Sequence, residues 1–133
     1  MTNNVKVKRS RIPNAGQGLF ADKPFERGDV IIRATGKIID NKAVAALAEA
    51  GKDIYLLGLD RKRTMNISNK AMYANDANGL TKISGARNNA NFFVDGTKAY
   101  IMATRKIERG DEIYVTYGHR YWQAIKSKKA KHL

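Results

Sequence analysis

The stretch ATRKIERGDEI, residues 103–113, repeats a stretch near the start of the chain, ADKPFERGDVI, residues 21–31. In each copy, apolar and β-branched residues flank the tetrapeptide Glu-Arg-Gly-Asp, which predicts a strand, a turn and a second strand. Gly28 and Gly110 supply the positive φ that such turns often need. Phe25 and Ile107 are expected to pack beneath the turns. The repeat predicts two equivalent β-corners in one domain, with chance similarity over a short stretch as the alternative.

Outside the repeat, runs of β-branched residues bounded by turn residues predict further strands. These are Val5–Arg9, residues 29–39 with an interruption at Gly36, residues 97–104 and residues 112–116. The apolar residues 54–59 are ambiguous, and a strand is favoured over a helix.

Two helical segments and one long loop complete the prediction. An alanine-rich helix is expected over residues 42–50, with Asn41 as its cap and Gly51 as its end. Residues 121–126 are expected to form a terminal helical turn. Residues 75–91 are rich in Asn, Gly and Ala, and a loop of that length is either functional or poorly ordered.

Length and composition favour one ordinary globular domain. The 133 residues, 43% of them hydrophobic, are expected to form a single domain over 1–133, with basic flexible ends at about 1–4 and 127–133. No apolar run approaches the ~20 residues needed to cross a bilayer, and the first residues lack the apolar stretch of a secretory signal. We expect an intracellular protein, cytoplasmic or associated with the nucleus or nucleoid, without membrane contact.

The residue types exclude several kinds of site. The chain has no cysteine, which excludes disulfides, thiolate zinc sites and cysteine nucleophiles. Its two histidines, His119 and His132, leave almost nothing for a serine–histidine hydrolase or a histidine-rich metal site. The chemistry must therefore use tyrosines, asparagines, a few carboxylates and backbone groups, and we expect no metal.

The net charge of +13 is concentrated at the two ends. Four positive charges lie among residues 6–11 and four more among residues 126–131. Such an excess favours attraction to nucleic acid or to an acidic protein surface. A solvated surface that only keeps the chain soluble is the alternative.

Three separated segments together resemble the SET-domain family. The segment SRIPNAGQGLFA, residues 10–21, resembles its Gly-x-Gly-Leu/Val-Phe-Ala opening. The segment YANDA, residues 73–77, followed by RNNA, residues 87–90, resembles a divergent Asn-His-Ser … Pro-Asn segment. The stretch from Ala103 to Tyr117-Gly118 resembles the closing Ala-x-Arg-x-Ile-x-x-Gly-Glu-Glu-Ile … Tyr-Gly. Order and span agree over nearly the whole chain.

The resemblance implies a fold and an activity. The fold is mainly β, a SET-type β-clip of several short antiparallel sheets with one or two short helices and a threaded, knot-like C-terminal segment. The activity is that of a protein-lysine N-methyltransferase with S-adenosylmethionine as cofactor and a protein lysine side chain as substrate. The compact length without zinc-binding flanks is similar to the small SET proteins of viruses and prokaryotes. Small SET domains can dimerise, so a monomer or a homodimer is expected.

The resemblance also assigns residues to a site. Tyr117 corresponds to the catalytic tyrosine, and a strand-end core aromatic is the alternative. For the cofactor it implies backbone approach at Gly16, Gln17 and Gly18, unless these form an ordinary turn. Further contacts implied by the family come from the loop and the C-terminal aromatics: Asn75, Asp76, Asn89, Tyr121 and Trp122. Turn chemistry for the asparagines, surface exposure for Asp76 and a C-terminal core plug for the aromatics are the alternatives.

The lysine channel is implied to contain Tyr55, Phe92 and Tyr117. Tyr55 is equally well explained as a buried strand residue. Phe92 stands where the family carries Phe or Tyr, and the missing hydroxyl predicts room for more than one methyl group.

Three departures from the family pattern fall in the middle segment. Asp76 replaces the usual His, Asn88 replaces the usual Pro, and about eight extra residues separate Asn75 from Asn89. Two rival functions therefore stay open. One is a non-catalytic basic β-domain that binds nucleic acid or a partner protein, and the other is a degenerate SET fold that binds partners only.

Overall fold

The computed structural model describes residues 4–13, 16–51, 56–77 and 87–116, and these form ten short strands, one α-helix and one 3₁₀ helix. The strands are β1 (Val5–Arg9), β2 (Gln17–Ala21), β3 (Val30–Ala34), β4 (Gly36–Asp40), β5 (Leu56–Gly58), β6 (Arg63–Ile67), β7 (Ala90–Asp95), β8 (Lys98–Ala103), β9 (Glu112–Ile113) and β10 (Val115–Thr116). The α-helix α1 is Asn41–Glu49 and the 3₁₀ helix is Lys70–Tyr73.

The strands form three small sheets, in the orders β1-β2-β9, β10-β7-β8-β3 and β4-β6-β5. Every pairing is antiparallel except that of β10 with β7. This confirms the prediction of a mainly β fold of several short antiparallel sheets. The threaded, knot-like segment predicted at the C-terminus falls on residues after 116, which lie outside the described residues. Within the described ranges, no helix is long and apolar enough to cross a membrane.

The two Glu-Arg-Gly-Asp turns have the same hydrogen bonds. In each, the backbone N–H of the glutamate donates to the carboxylate of the aspartate, at 2.8 Å for Asp29 and 2.9 Å for Asp111. The glycines have φ of 91° for Gly28 and 94° for Gly110, a conformation that a side chain would strain. Sequence similarity thus corresponds to structural equivalence.

The two turns also pair with each other. Phe25 and Ile107 exchange backbone hydrogen bonds of 2.8 and 2.9 Å, and both side chains are buried. The N–H of each turn glycine donates at 2.8 Å to the alanine that ends the strand before the other turn, Ala103 or Ala21. The prediction of two equivalent β-corners with apolar side chains beneath them is therefore confirmed.

The run at 29–39 is two strands rather than one interrupted strand. β3 ends at Ala34, and β4 begins at Gly36 in a different sheet. Gly36 lies so close to β6 that a Cβ atom would overlap the carbonyl oxygen of Asn66 and lie 2.7 Å from its carbonyl carbon. The glycine is thus needed for close approach of two backbones.

The helix α1 is confirmed, but the predicted cap is wrong by one residue. Asp40, in extended conformation, accepts a hydrogen bond of 2.9 Å from the N–H of Ala43. Asp40 is the cap because its carboxylate reaches the N–H of Ala43, three positions later in the chain. Asn41 already belongs to the helix. Gly51 follows with φ of 73°, as predicted for the helix end. The turn predicted at 121–126 lies outside the described residues.

Other strand predictions are confirmed at β1, β8, β9 and β10, and β5 occupies the described part of the ambiguous stretch 54–59. Two further strands are absent from the sequence prediction. β6 alternates between polar and buried apolar residues from Thr64 to Ile67, and β4 and β5 pair with it on both sides. β7 begins at Ala90, inside the predicted loop, because it pairs along its whole length with β8. Tertiary pairing decides the start of β7.

Gly36 allows a test of the close approach between β4 and β6. Replacing it with Ala forces the two backbones apart, and we expect a loss of about 2 kcal/mol in the free energy of unfolding, the usual range for overpacking. Gly58→Ala in β5 of the same sheet is the matched control. An added Cβ there meets nothing within 4 Å, so stability stays unchanged or rises slightly. Urea unfolding of both variants measures the difference, and equal stability would contradict the argument.

Candidate cofactor-binding site

The described residues contain three buried polar or charged side chains, Asp76, Asn89 and Glu112. All three belong to the segments that carry the second and third motifs. Burying polar groups is costly unless they are hydrogen-bonded, so such a concentration marks a site with a fixed network. We refer to the contacts around Glu112, described below, as the Glu112 junction.

Glu112 is buried because its strand has two covered faces. Side chains alternate along residues 112–115, and Ile113 and Val115 face the main core. Glu112 and Tyr114 point to the other side, where Tyr114 packs in a second cluster with Ile12 and Ala77. The carboxylate therefore lies beneath the loop after β1 and the segment that follows the 3₁₀ helix.

Four donors satisfy the Glu112 carboxylate, which is only 2% exposed. Oε1 accepts from the backbone N–H of Arg11 at 2.8 Å and from the Tyr114 hydroxyl at 3.0 Å. Oε2 accepts from the Ser10 hydroxyl at 2.6 Å and, at a longer 3.5 Å, from the Asn75 amide. These partners come from three separate segments of the chain. The Glu112 junction thus joins all three motifs.

The glycine segment has two different requirements for glycine. Gly16 adopts φ of 72°, and an added Cβ there would meet open space. Gly18 is buried opposite the junction, and a Cβ would overlap the Glu112 carboxylate. Gly16 is therefore needed for the conformation of the turn, and Gly18 is needed to leave space for the buried Glu112 carboxylate.

Asn75 is held at both its backbone and its side chain. Its carbonyl oxygen accepts from the N–H of Val115 at 2.8 Å, and its amide nitrogen donates to the carbonyl of Gln17 at 3.0 Å. Its Oδ1 accepts no hydrogen bond from any described residue. A fixed amide oxygen beside an open glycine turn suits the ammonium group of an amino-acid-containing cofactor. The residues present fit the amino-acid part of S-adenosylmethionine.

Asn89 fastens the strand that carries Glu112. Its amide nitrogen donates to the carbonyl of Glu112 at 3.0 Å, and its Oδ1 accepts from the N–H of Tyr114 at 2.9 Å. Beside β7, the Asn89 side chain thus supplies two hydrogen bonds to the backbone of residues 112 and 114 that a paired strand would otherwise make. Asn89 belongs to the second motif together with Asn75 and Asp76, but these two bonds go to the protein backbone.

The comparisons with known proteins agree with this geometry. A protein-family model described as SET domain matches residues 16–118. The chain belongs to the SET-domain family.

Its relatives in the SET-domain family are longer proteins. The histone-lysine N-methyltransferase ASHH3 of Arabidopsis thaliana is 27% identical over 128 residues, which cover 89% of this chain and 33% of that protein. The chain therefore spans about a third of the curated relative it matches.

Two solved structures show the same fold. Apo ctPRC2 in an autoinhibited state is 20% identical with a TM-score of 0.74, over 99% of this chain and 17% of that chain. Apo ctPRC2 with two substitutions in Ezh2 is 21% identical with a TM-score of 0.74, over 96% of this chain and 16% of that chain.

Two of the departures from the usual SET pattern, Asp76 and Asn88, contact each other. The Asn88 amide nitrogen donates to the Asp76 carboxylate at 2.9 Å, and the Asn88 Oδ1 accepts from the N–H of Ala77 at 2.8 Å. Asp76 is buried, so the alternative of surface exposure is wrong. A proline at position 88 would supply neither side-chain bond. The Asp and the Asn therefore form a pair that fastens the two described ends of the extended loop.

The remaining predicted site residues divide into two groups. Phe92 lies in β7 opposite Ile101, half-buried against the main core. Four others lie outside the described residues: Tyr55, Tyr117, Tyr121 and Trp122. The last described strand, β10, ends at Thr116 beside Asn91 of β7. Among the described residues, no group of three or more acidic or histidine side chains is placed to hold a metal ion.

Sequence reasoning missed Glu112 and Tyr114 as parts of the site. The available signal was the alternation in Glu112-Ile113-Tyr114-Val115, which places the acid and the phenol on one face. Ser10 stands at the edge of the first motif, and the motif assigns it no role. Its hydroxyl makes the shortest bond to the carboxylate, which only the fold reveals.

The pKa of the Tyr114 phenol is clearly displaced from its ordinary value. Burial, reinforced by the nearby negative charge of Glu112 and by their hydrogen bond, raises the pKa of Tyr114 to about 12 from 10.0. The neutral phenol is thus favoured, and it remains a donor to Glu112 well above neutral pH.

The raised pKa predicts a loss of stability in alkali. Between about pH 10 and 12 the unfolded chain releases the Tyr114 proton and the folded chain keeps it, so the free energy of unfolding falls as the pH rises. Tyr114→Phe removes this contribution, and its stability declines less steeply over that window. It also costs about 1–3 kcal/mol at neutral pH, because the carboxylate loses a donor. Denaturant unfolding at several pH values measures both, and parallel pH profiles would contradict the assignment.

Proposed function

We propose that the chain is a protein-lysine N-methyltransferase that uses S-adenosylmethionine. The observation that carries the proposal is the Glu112 junction, in which Asn75, the Gly16–Gly18 segment and β9 meet in a chain of the SET-domain family. The name of the curated relative supports lysine as the methylated residue.

The cofactor would bind along the glycine segment. Backbone at Gly16, Gln17 and Gly18 lines the approach, and the Asn75 Oδ1 would accept from the cofactor's ammonium group. Asp76 and Asn89 would hold this loop in place and not contact the cofactor directly. Asp76 is hydrogen-bonded to Asn88, and Asn89 is hydrogen-bonded to the backbone of Glu112. Tyr121 and Trp122 would cover the adenine by stacking. When bound, S-adenosylmethionine supplies an electrophilic methyl group on a positively charged sulfonium.

The substrate lysine must reach this methyl as a neutral amine. A free lysine has a pKa of ~10.4, and desolvation in a narrow channel beside a positive charge lowers it. Tyr55, Phe92 and Tyr117 would line that channel and exclude water. No strong general base is then needed, in keeping with a chain whose only histidines are His119 and His132.

Tyr117 would act as the catalytic tyrosine by placing its hydroxyl near the amine and the methyl. It directly follows β10, whose Thr116 pairs with Asn91 in β7, next to Phe92. Positioning the two reactants supplies much of the rate enhancement in such a transfer.

The substrate class we infer is a basic chromatin-type or nucleic-acid-associated protein. A chain of net charge +13 repels a free basic peptide, so a polyanion shared with the substrate would bring them together. Such a role agrees with a nuclear or nucleoid location, and the chain would act as a monomer or homodimer.

Methyl transfer by the intact chain tests the proposal. We expect mass spectrometry to find methylated lysine after incubation with S-adenosylmethionine and a cell extract, and Tyr117→Phe to lower turnover at least ~100-fold by loss of positioning. Calorimetry with S-adenosylmethionine and with its demethylated product measures cofactor binding independently of turnover. Binding without turnover would favour a degenerate SET fold. No binding to either compound would favour a basic β-domain without catalysis, and undiminished turnover in Tyr117→Phe would remove Tyr117 from the mechanism.

The same experiment reports on Phe92. Because it lacks a hydroxyl that would restrain the amine, products with two or three methyl groups are expected. Exclusive monomethylation of a good substrate would contradict this role.

A further inference from the structure

The outer face of β1 carries an unusual set of cations around one buried ring. Lys6 and Lys8 alternate with Val5 and Val7, which face the core, so both lysines lie on the outer side of the sheet. The Lys8 Nζ lies 4.5 Å from the centroid of the Phe20 ring, and the Arg11 Cζ lies 6.0 Å from the same centroid. We name Lys6, Lys8 and Arg11 the basic platform.

The basic platform has almost no compensating charge. Among the described residues, Lys8 and Arg11 form no ion pair, and Lys6 reaches only Asp22, at 3.4 Å. Asp22 is itself shared with Arg109, also at 3.4 Å. The nearby Glu112 carboxylate is buried and already has four donors. The platform therefore presents a local excess of positive charge to solvent.

The packing on Phe20 distinguishes the platform from scattered surface lysines. Lys8 and Arg11 both lie within 6.0 Å of the same ring centroid, and this interaction restricts their side chains and reduces the entropy lost when they bind an anion. The Phe20 residue is only 3% exposed, so its ring is not available to stack on a base. Restrained cations can bind the phosphates of a nucleic-acid backbone. Recognition of bases by stacking would require an exposed aromatic ring, which Phe20 does not offer.

We propose that the basic platform binds the phosphate backbone of double-stranded nucleic acid without sequence preference. This function is independent of methyl transfer and does not require the cofactor. It supplies a physical means of placing the chain beside substrates that are themselves bound to nucleic acid.

Two alternative roles for these cations fit the surface less well. β1 is an edge strand, and lysines on an edge discourage pairing with other chains. That role accounts for Lys6 and Lys8, but not for Arg11, which lies beyond the strand. A membrane surface is disfavoured because the large exposed hydrophobic side chains of the described part, Val30, Ile38 and Phe93, belong to the other two sheets.

The salt dependence of binding tests the proposal. Fluorescence anisotropy with a mixed-sequence duplex of about 20 base pairs gives the slope of log K against log salt concentration, which changes by ~0.9 for each phosphate that the protein neutralises. For Lys8→Gln/Arg11→Gln we expect the slope to become about 1.8 less steep and the affinity at 100 mM salt to fall at least roughly tenfold. Arg33→Gln/Lys37→Gln is the matched control, since it removes one exposed arginine from β3 and one lysine from β4.

Each outcome decides for or against the platform. The proposal is supported if the slope of log K against log salt concentration becomes less steep in the platform variant and stays close to the wild-type value in the control. The same result is expected on a second, unrelated duplex sequence. Equal losses of affinity in both variants would show that only net charge matters, and absence of binding at low salt would overturn the proposal outright. Binding to anionic vesicles but not to the duplex would also overturn it. The assay needs neither cofactor nor turnover, so its failure is distinct from failure of the methyltransferase proposal.

Discussion

A buried carboxylate constrains how this chain can fold. Removing a charge from water costs several kcal/mol unless the charge is hydrogen-bonded, and Glu112 recovers that cost only when the Ser10–Arg11 loop, Asn75 and Tyr114 are all in place. These donors are up to 102 residues away in sequence. The junction therefore forms as a unit, and the same contacts that satisfy the charge bring the glycine turn and the Asn75 amide to one side of β9.

The paired Glu-Arg-Gly-Asp turns hold in place the two strands, β2 and β9, that contribute to the Glu112 junction. One turn follows β2, which contains Gly18, and the other leads directly into β9, which contains Glu112. Because the turns bond to each other through Phe25 and Ile107, the two strands are fixed side by side. A repeated structural element thus supports a site whose polar residues are not repeated, since Val30 stands at the position that corresponds to Glu112.

Local signals in the sequence are sufficient to predict the repeat, β1 and the helix, whereas Asn75 is singled out by the resemblance to the SET-domain family. Each depends on neighbouring residues, such as a glycine in a tight turn or alternation along one strand. Features decided by distant partners cannot be predicted in this way. β7 begins inside the predicted loop because it pairs with β8, and the Asp76–Asn88 pair closes across the extended loop. For Glu112, the alternation along residues 112–115 indicates only that it shares a face with Tyr114, and its role follows from the donors that the fold assembles around it.

Calorimetric titration of S-adenosylhomocysteine into wild type, Glu112→Gln and Glu108→Gln tests whether the Glu112 junction shapes the cofactor site. Glu112→Gln places a donating amide NH2 group among donors and disturbs Asn75, whereas Glu108→Gln removes the same charge from an exposed position on the neighbouring turn. We expect Glu112→Gln, measured where it remains folded, to bind at least ~10-fold more weakly, a difference of ~1.4 kcal/mol, and Glu108→Gln to bind like wild type. Undiminished binding by folded Glu112→Gln would contradict this role of the junction.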